Sequence, residues 1–353
     1  MKDTVDISRH ANDIGVFEVA QSQKGAAAAT RKDFIWAALL HMGTNMWLDN
    51  VPKECPPFKG EQLKLLCAMD YVRFDERVWH VLTDRMAEVG MNMVVIDLGE
   101  AVKYPSHPEL SVKGSWEVGR FRKELTRLRA MGLEPIPKLN FSTSHDTWLK
   151  EYGRMVSTPE YYKVCADLVR DVAEIFDHPR FFHLGYDEES FDNQSRHLHC
   201  VVRQGDLWWH DLLWFVKETE NAGMRPWIWS DSVWRHPDLF YKRMPRSVLQ
   251  SNWHYGDNFD VAWLKANGKK RATFIQAYED LDKAGFEQIP CGSNWTCDTN
   301  FASTVKYCRK VCSPERLKGF MMAPWFYTIP EWEKKNLEAI NQVGAVIKLE
   351  QAR

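Results

Sequence analysis

No glycine-rich phosphate loop is present: G-x-G-x-x-G does not follow the first apolar run, and G-x-x-x-x-G-K-[ST] occurs nowhere in the 353 residues. A doubly wound nucleotide-binding sheet therefore lacks its usual signature. Charge of one sign is scarce too. With 46 basic and 48 acidic residues the formal net charge is −2, which gives no electrostatic footing for nucleic acid or an anionic membrane surface. No apolar run approaches the ~20 residues that span a bilayer, so no membrane insertion is expected. The start, MKDTVDISRH, lacks the basic stretch and apolar run of a signal peptide. Compartment and oligomeric state stay open.

The eight cysteines contain no C-x-x-C pair, so a zinc ribbon or thioredoxin-type site has no spacing support. Four of them, Cys291, Cys297, Cys308 and Cys312, cluster late in the chain. Disulfides, buried thiols and a metal site are all open to these four.

What the chain has in abundance is aromatic surface: 13% of its residues, including 16 Trp. A Trp is costly to bury completely because its ring N–H needs a partner. Trp clusters near strand ends form stacking platforms for flat or sugar-like ligands.

Residues 1–30 read as a poorly patterned polar lead-in, and 31–353 as one domain in which strands alternate with helices. The strand runs begin at Phe34, Met93, Leu133, Phe181, Pro226, Val248, Phe286 and Phe320. Between them lie amphipathic segments that end in helix stops such as Gly90, Gly132, Gly223 and Gly285. Thr158-Pro159-Glu160 places a cap, a proline at the first helical position and an acid in the first turn. Eight strands separated by helices make an α/β fold of the (β/α)8 TIM-barrel type, with a short N-terminal extension, the economical expectation.

In such a barrel the carboxyl ends of the strands converge on one mouth. The residues read there are His41 and Asn45, Asp97 and Glu100, and Asn140 and His145. After them come Asp187, Glu188 and Glu189, then Trp229 and Asp231, then Asn252, Trp253 and His254. The last two strands give Asn294 and Trp295, and Trp325 and Tyr327. An acidic, amide-rich and Trp-lined mouth suits a neutral polyhydroxylated ligand, so carbohydrate is the expected partner.

The string Phe181-Phe182-His183-Leu184-Gly185-Tyr186-Asp187-Glu188-Glu189 ends an apolar strand on a glycine and then presents three acids. Three acids repel one another unless a proton or a cation sits among them, so at least one is a candidate for a raised pKa. Glu189 reads as a cap of the next helix. Metal chemistry is the rival, because His41, His183, Asp187, Asp97 and Asp231 are all possible ligands. His183 lies within the strand, however, where a buried structural histidine is expected. No metal and no cofactor is expected.

The order of motifs resembles the catalytic barrel of glycoside hydrolase family 20, the β-N-acetylhexosaminidases. The family's His-x-Gly-Gly-Asp-Glu is similar to His183-Leu184-Gly185-Tyr186-Asp187-Glu188. Its strand-five Trp-x-Asp is matched by Trp229-Ser230-Asp231, and its later strand-end Trp residues by Trp253 and Trp325. The resemblance spans roughly residues 33–345. It implies a retaining, substrate-assisted glycosidase. In that reading Glu188 protonates the leaving oxygen and Asp187 orients the substrate's own 2-acetamido nucleophile. A charged Asp187 beside Glu188 is expected to raise the pKa of the latter. Adjacent residues on an extended backbone point apart, which fits such a division of roles.

The departures are specific. The family's first-strand Arg has no counterpart in His41-Met42-Gly43-Thr44-Asn45, and its second-strand His is Val94. Its Pro-Glu-x-Asp reads Pro137-Lys138-Leu139-Asn140, and its strand-eight Trp-x-Glu reads Trp325-Phe326-Tyr327. Its strand-seven Tyr is replaced around Asn294-Trp295. The resemblance therefore implies a divergent member that keeps the acid pair and meets a different or differently decorated sugar. A barrel that binds carbohydrate without cleaving it, and a metal-dependent hydrolase, are the alternatives.

Overall fold

A parallel strand covered on both faces must be apolar at every position, and Ile35–His41, the first strand, is buried throughout. The computed structural model describes residues 34–52 and 60–352, and of Glu61 and Gln62 only the backbone. The lead-in expected at 1–30 and Cys55 lie outside them. Eight parallel strands follow in sequence: β1 Ile35–His41, β2 Met93–Asp97, β3 Glu134–Lys138, β4 Phe181–His183, β5 Arg225–Trp229, β6 Leu249–Ser251, β7 Cys291–Gly292 and β8 Gly319–Met322. Their order in the sheet is 6-5-4-3-2-1-8-7. The two ends meet through single bridges, Gln250 to Gln288 and Trp253 to Cys291, which bring the sheet round into a nearly closed barrel. The fold is a (β/α)8 TIM barrel.

The alternation of side chains along each strand builds two apolar layers. Ile35, Ala37, Leu39, Val95, Ile136, Trp227 and Met321 fill the barrel interior. Trp36, Ala38, Leu40, Val94 and Ile96 face outward and pack under the helices. The interior is thus a packed core, and any ligand has to bind above it.

Helix Pro159–Ile175 forms where its signals stand: the Thr158 hydroxyl accepts from the Tyr161 N–H at 3.3 Å, and Val164, Leu168 and Val172 are buried along one face. The helix ends as Asp177 and His178 both turn to positive φ, 59° and 51°, which feeds the chain into β4.

One element sits later than expected. The seventh run, Phe286–Pro290, carries only the single-residue bridges of Gln288 to Gln250 and Leu317, and the ladder proper begins at Cys291. The Pro290 carbonyl accepts from the Met321 N–H at 3.0 Å, and the paired strand continues from there. No helix among the described residues is long and apolar enough to cross a membrane.

Candidate active site

The chain leaves β4 through an unusual turn. Gly185, Tyr186 and Glu188 all adopt positive φ, at 71°, 73° and 57°. For the non-glycine pair this conformation costs on the order of 1–3 kcal/mol each and persists only where neighbours over-determine it. Here they do. Asn140 Oδ1 accepts from the Tyr186 N–H at 3.2 Å, and Asp231 Oδ2 accepts from the Glu188 N–H at 3.0 Å. The Ser142 hydroxyl donates to the Asp187 carbonyl at 2.5 Å, while Ser144 Oγ and Asn193 Nδ2 donate to the Glu188 carbonyl at 2.8 and 2.7 Å. Gly185 has to be glycine, because a Cβ there would lie 2.0 Å from Asn140 Oδ1.

This turn overrides the expectation that Asp187 and Glu188 point apart. Positive φ on both sides of Asp187 swings the two carboxylates onto one imidazole: His145 Nε2 lies 3.5 Å from Asp187 Oδ2 and 3.4 Å from Glu188 Oε2. The Asp187 side chain is 9% exposed and is fixed by Asn140 Nδ2 at 2.7 Å, whereas the Glu188 side chain is 42% exposed.

The electrostatics of the pair differ from the sequence expectation. Burial pushes the Glu188 carboxyl up, but the hydrogen bond and charge of His145, with Arg235 behind, outweigh it and hold the group below its ordinary range. Asp187 is raised, by burial first and then by the charge of Glu188. Burial lowers His145, yet the two carboxylates overcome it and raise its pKa. Asp231 is pushed up to about 8 by burial and by the charges of Asp187 and Glu188. Its Oδ1 is buried without a hydrogen-bond partner. The cluster therefore sets a Glu188 that ionises more readily than a free glutamate against Asp187 and Asp231, which ionise less readily than a free aspartate.

Above the cluster opens a cleft of about 610 Å³. Of the residues expected at the mouth, Asp187, Glu188, His145, Trp229, Trp253, Trp295, Trp325 and Tyr327 line it. Four others do not. Asp231 lies beneath the turn, under Glu188. Asn294 turns its amide to the Lys335 carbonyl at 2.9 Å. Asp97 and His41 are sealed below the cleft, where Lys138 Nζ meets Asp97 Oδ2 at 2.6 Å and His41 Nδ1 meets it at 3.4 Å. Glu189 is not a helix cap. Its carboxylate is gripped by the buried Arg203 at 2.7 and 2.9 Å, and Ser190 caps the following turn instead.

Sequence reading by strand ends missed part of the wall: Trp47 and Leu48 beyond β1, Leu65 and Leu66 of the short helix Gly60–Leu66, Tyr255, and Trp332 ahead of the closing helix Glu333–Gln351. Each lies two to many residues past its strand. The one usable signal was a Trp within a few residues of a strand terminus, as at Trp47.

For a metal, the structure brings together a different set from the five residues the sequence raised, with only Asp187 in common. Among the described residues the group with ligand atoms within 4.8 Å of one another is His145, Asp187 and Glu188. The same spacing serves an imidazolium held between two carboxylates, which the raised pKa of His145 describes. His183, buried against Trp227 and Trp229, accepts from the Gly185 N–H and is held well below its ordinary pKa by burial and then by Lys138. The late cysteines are free thiols, with Cys291, Cys308 and Cys312 buried.

No protein-family model matches the sequence, and no curated protein matches it. Solved structures do match in fold. The Streptomyces plicatus N-acetyl-β-hexosaminidase in complex with Thio-NAglucal aligns at TM-score 0.56 and 12% identity, over 88% of this chain and 64% of that one. The fold is that of family 20. The exo-β-N-acetylglucosaminidase of Vibrio harveyi, in complex with N-acetylglucosamine, aligns at TM-score 0.57 and 11% identity, over 88% of this chain and 54% of that one. Dispersin B aligns at 0.53 and 13%, over 77% of this chain and 95% of its own. The chain thus spans less than two thirds of the first two proteins and nearly all of the third. At these identities the likeness is one of fold, and this family-20-like barrel puts its own acid pair at the carboxyl end of β4.

Proposed function

We propose that the chain is a glycoside hydrolase acting on a hexosamine-containing or otherwise substituted glycan, with Glu188 as general acid and Asp187 as the group that orients the 2-acetamido substituent. One observation carries this: two adjacent carboxylates of unequal exposure share one imidazole at the floor of a Trp-walled cleft. The exposed member, Glu188, is the one placed to reach a glycosidic oxygen. The buried member, Asp187, is held by Asn140 in a single orientation, as an orienting group must be. In this reading His145, 3.4 Å away, returns a proton to Glu188 after Glu188 has given its own to the leaving oxygen. The likeness to family-20 barrels supports the reaction class, and the neighbours' ligands support a carbohydrate substrate. The mouth residues Trp229, Trp253, Trp325, Trp295 and Tyr327 would form the substrate-binding surface.

The test is a panel of aryl glycosides assayed with the wild type, Glu188→Gln and Asp187→Ala. Turnover that Glu188→Gln removes is the expected result. A loss at Asp187→Ala confined to 2-acetamido sugars supports substrate assistance, and an equal loss on other sugars counts against it.

A second reading has one observation behind it. The lowered pKa of Glu188 favours a carboxylate that accepts hydroxyls over an acid that donates a proton, as in a barrel that binds carbohydrate without cleaving it. Sugar binding by calorimetry with no turnover on any glycoside would establish that reading. Activity abolished by chelator and restored by zinc would instead make the His145 trio a metal centre.

A further inference from the structure

The two sides of the cleft offer a ligand different chemistry. Polar groups come from the loops after β3 and β4: Ser144, His145, Asp187, Glu188, Asn193 and Arg196. On the opposite side, built on β1, β6, β7 and β8, the described lining is aromatic and aliphatic.

Several polar atoms of that opposite wall are engaged within the protein. The Tyr327 hydroxyl donates to the Leu65 carbonyl at 2.6 Å. Trp325 Nε1 donates to the Tyr255 hydroxyl at 3.1 Å, and Tyr255 contacts Cys291 Sγ at 3.9 Å. Beyond this wall stands a three-ring shelf: Trp295 and Phe326 are 5.1 Å apart, and Phe326 and Trp332 stack at 4.9 Å and 23°. Trp295 is 44% exposed, so the shelf reaches the rim.

A sugar ring stacks on an aromatic face but also needs partners for the hydroxyls around its edge, and leaving them unmatched is costly. An apolar ring or chain has no such need and gains from every Å² it buries. A cavity of 610 Å³ is in the range that holds drug-sized ligands, with room for more than one group.

We propose that this aromatic half is a leaving-group site for an apolar aglycone, so that the preferred substrates are glycosides of hydrophobic alcohols or phenols and not links between two sugars. The inference rests on the glycosidase reading and specifies its substrate class. The sugar sits over Asp187 and Glu188. The glycosidic oxygen faces Glu188, which protonates it as the bond to the sugar's anomeric carbon breaks, and the neutral alcohol departs along the shelf.

The experiment is an alkyl series on one sugar and one linkage, from methyl to octyl, whose leaving alcohols differ little in acidity. Each methylene that the shelf buries is worth about 0.8 kcal/mol, or roughly fourfold in kcat/KM. The expected result is a rise with chain length carried mainly by KM, with octyl exceeding a disaccharide of the same sugar. Trp332→Ala and Phe326→Ala are expected to flatten the dependence on chain length. That slope is the readout, so a general loss of activity in either variant does not count for the proposal. A flat series, or a disaccharide preferred over octyl, overturns the inference and leaves the glycosidase reading standing. If no glycoside is cleaved, the glycosidase reading is what fails. Titration of octyl and methyl thioglycosides by tryptophan fluorescence then decides the apolar site alone, where tighter octyl binding supports it and equal affinities refute it.

Discussion

Asp97 and Asp187 both end on the barrel mouth in a sequence reading, yet they occupy opposite electrostatic worlds. Asp97, at the end of β2, is 2% exposed and faces Lys138 from the neighbouring strand and His41 from β1. Burial pulls its pKa up, but the charge of Lys138 and then His41 more than reverse that, leaving it lowered. Asp187 and Asp231 are buried without a lysine in contact, the charges of His145 and Lys138 offset only part of the burial at Asp187, and both are raised, Asp231 to about 8. An acid at a strand end is therefore no guide to function by itself. What matters is whether a buried cation neutralises it, because an acid left to share protons with its neighbours is the one that can exchange them with a substrate.

The largest effect is expected where that neutralisation is removed. Lys138→Met leaves Asp97 a buried, uncompensated charge and should destabilise the protein by about 3–5 kcal/mol. Asp97→Leu added to it should restore most of the loss, since a well-packed apolar pair replaces a buried ion pair at little cost. Chemical denaturation of the single and double variants measures both. If Lys138→Met costs under about 1 kcal/mol, the sealed pair is not what separates Asp97 from the site.

Glu188→Gln breaks the other side of the comparison. It removes the transferable proton and keeps the shape, so kcat on alkyl glycosides should fall about a hundredfold or more. Unfolding should change little, because the Glu188 side chain is 42% exposed. A large loss of stability with activity retained would reverse the assignment.

The two aspartates should also give stability opposite dependences on pH. An unfolded Asp ionises near pH 4, and Asp231 in the folded protein near pH 8. The folded state thus holds the extra proton between these values, and stability declines as pH rises from about 4 to 8, by up to roughly 1.4 kcal/mol per pH unit. Asp97, whose folded pKa is lowered, works the other way: its contribution is present above about pH 4 and is lost as pH falls through the folded value. Melting temperature against pH should therefore be flatter between 4 and 8 in Asp231→Asn, and flatter below 4 in Asp97→Asn. Coincident profiles for wild type and Asp231→Asn would show that Asp231 is not held protonated.

Legibility in the sequence followed the same division. Strands that are apolar on both faces up to their last residue, β1 and β2, declared themselves, because burial on two sides favours apolar side chains along the run. The seventh was read several residues early, because the run Phe286–Pro290 has the composition of a strand yet is held only by the single bridges at Gln288. Helix Asn300–Val311 went unread, although Phe301, Thr304, Val305 and Cys308 bury one face, because only half of that face is strongly apolar. The acid pair was legible as a motif on a strand end. Its mutual geometry was not, because it depends on positive φ at Tyr186 and Glu188, residues whose side chains give no sign of it. Nor was the identity of each acid's partner, which is settled across strands by Lys138 and Asn140.

Those two partners give the smallest and sharpest test. They stand two residues apart on and just past β3, so they face the same side of the sheet. Lys138 serves Asp97 as a cation, while Asn140 Nδ2 serves Asp187 as a neutral donor at 2.7 Å. A neutral donor orients a carboxyl without forcing it to ionise. The Asn140 side-chain oxygen Oδ1 accepts from the N–H groups of Ser142 and Tyr186 at 3.0 and 3.2 Å, which ties the β3 loop to the strained turn. Asn140→Ala should therefore cost about 1–3 kcal/mol in stability, as expected for stranded backbone donors, much less than Lys138→Met. It should reduce kcat on 2-acetamido substrates more than on sugars lacking that group, because the orientation of Asp187 is lost while Glu188 keeps its contact with His145. Equal losses on both classes would mean that Asn140 only shores up the turn.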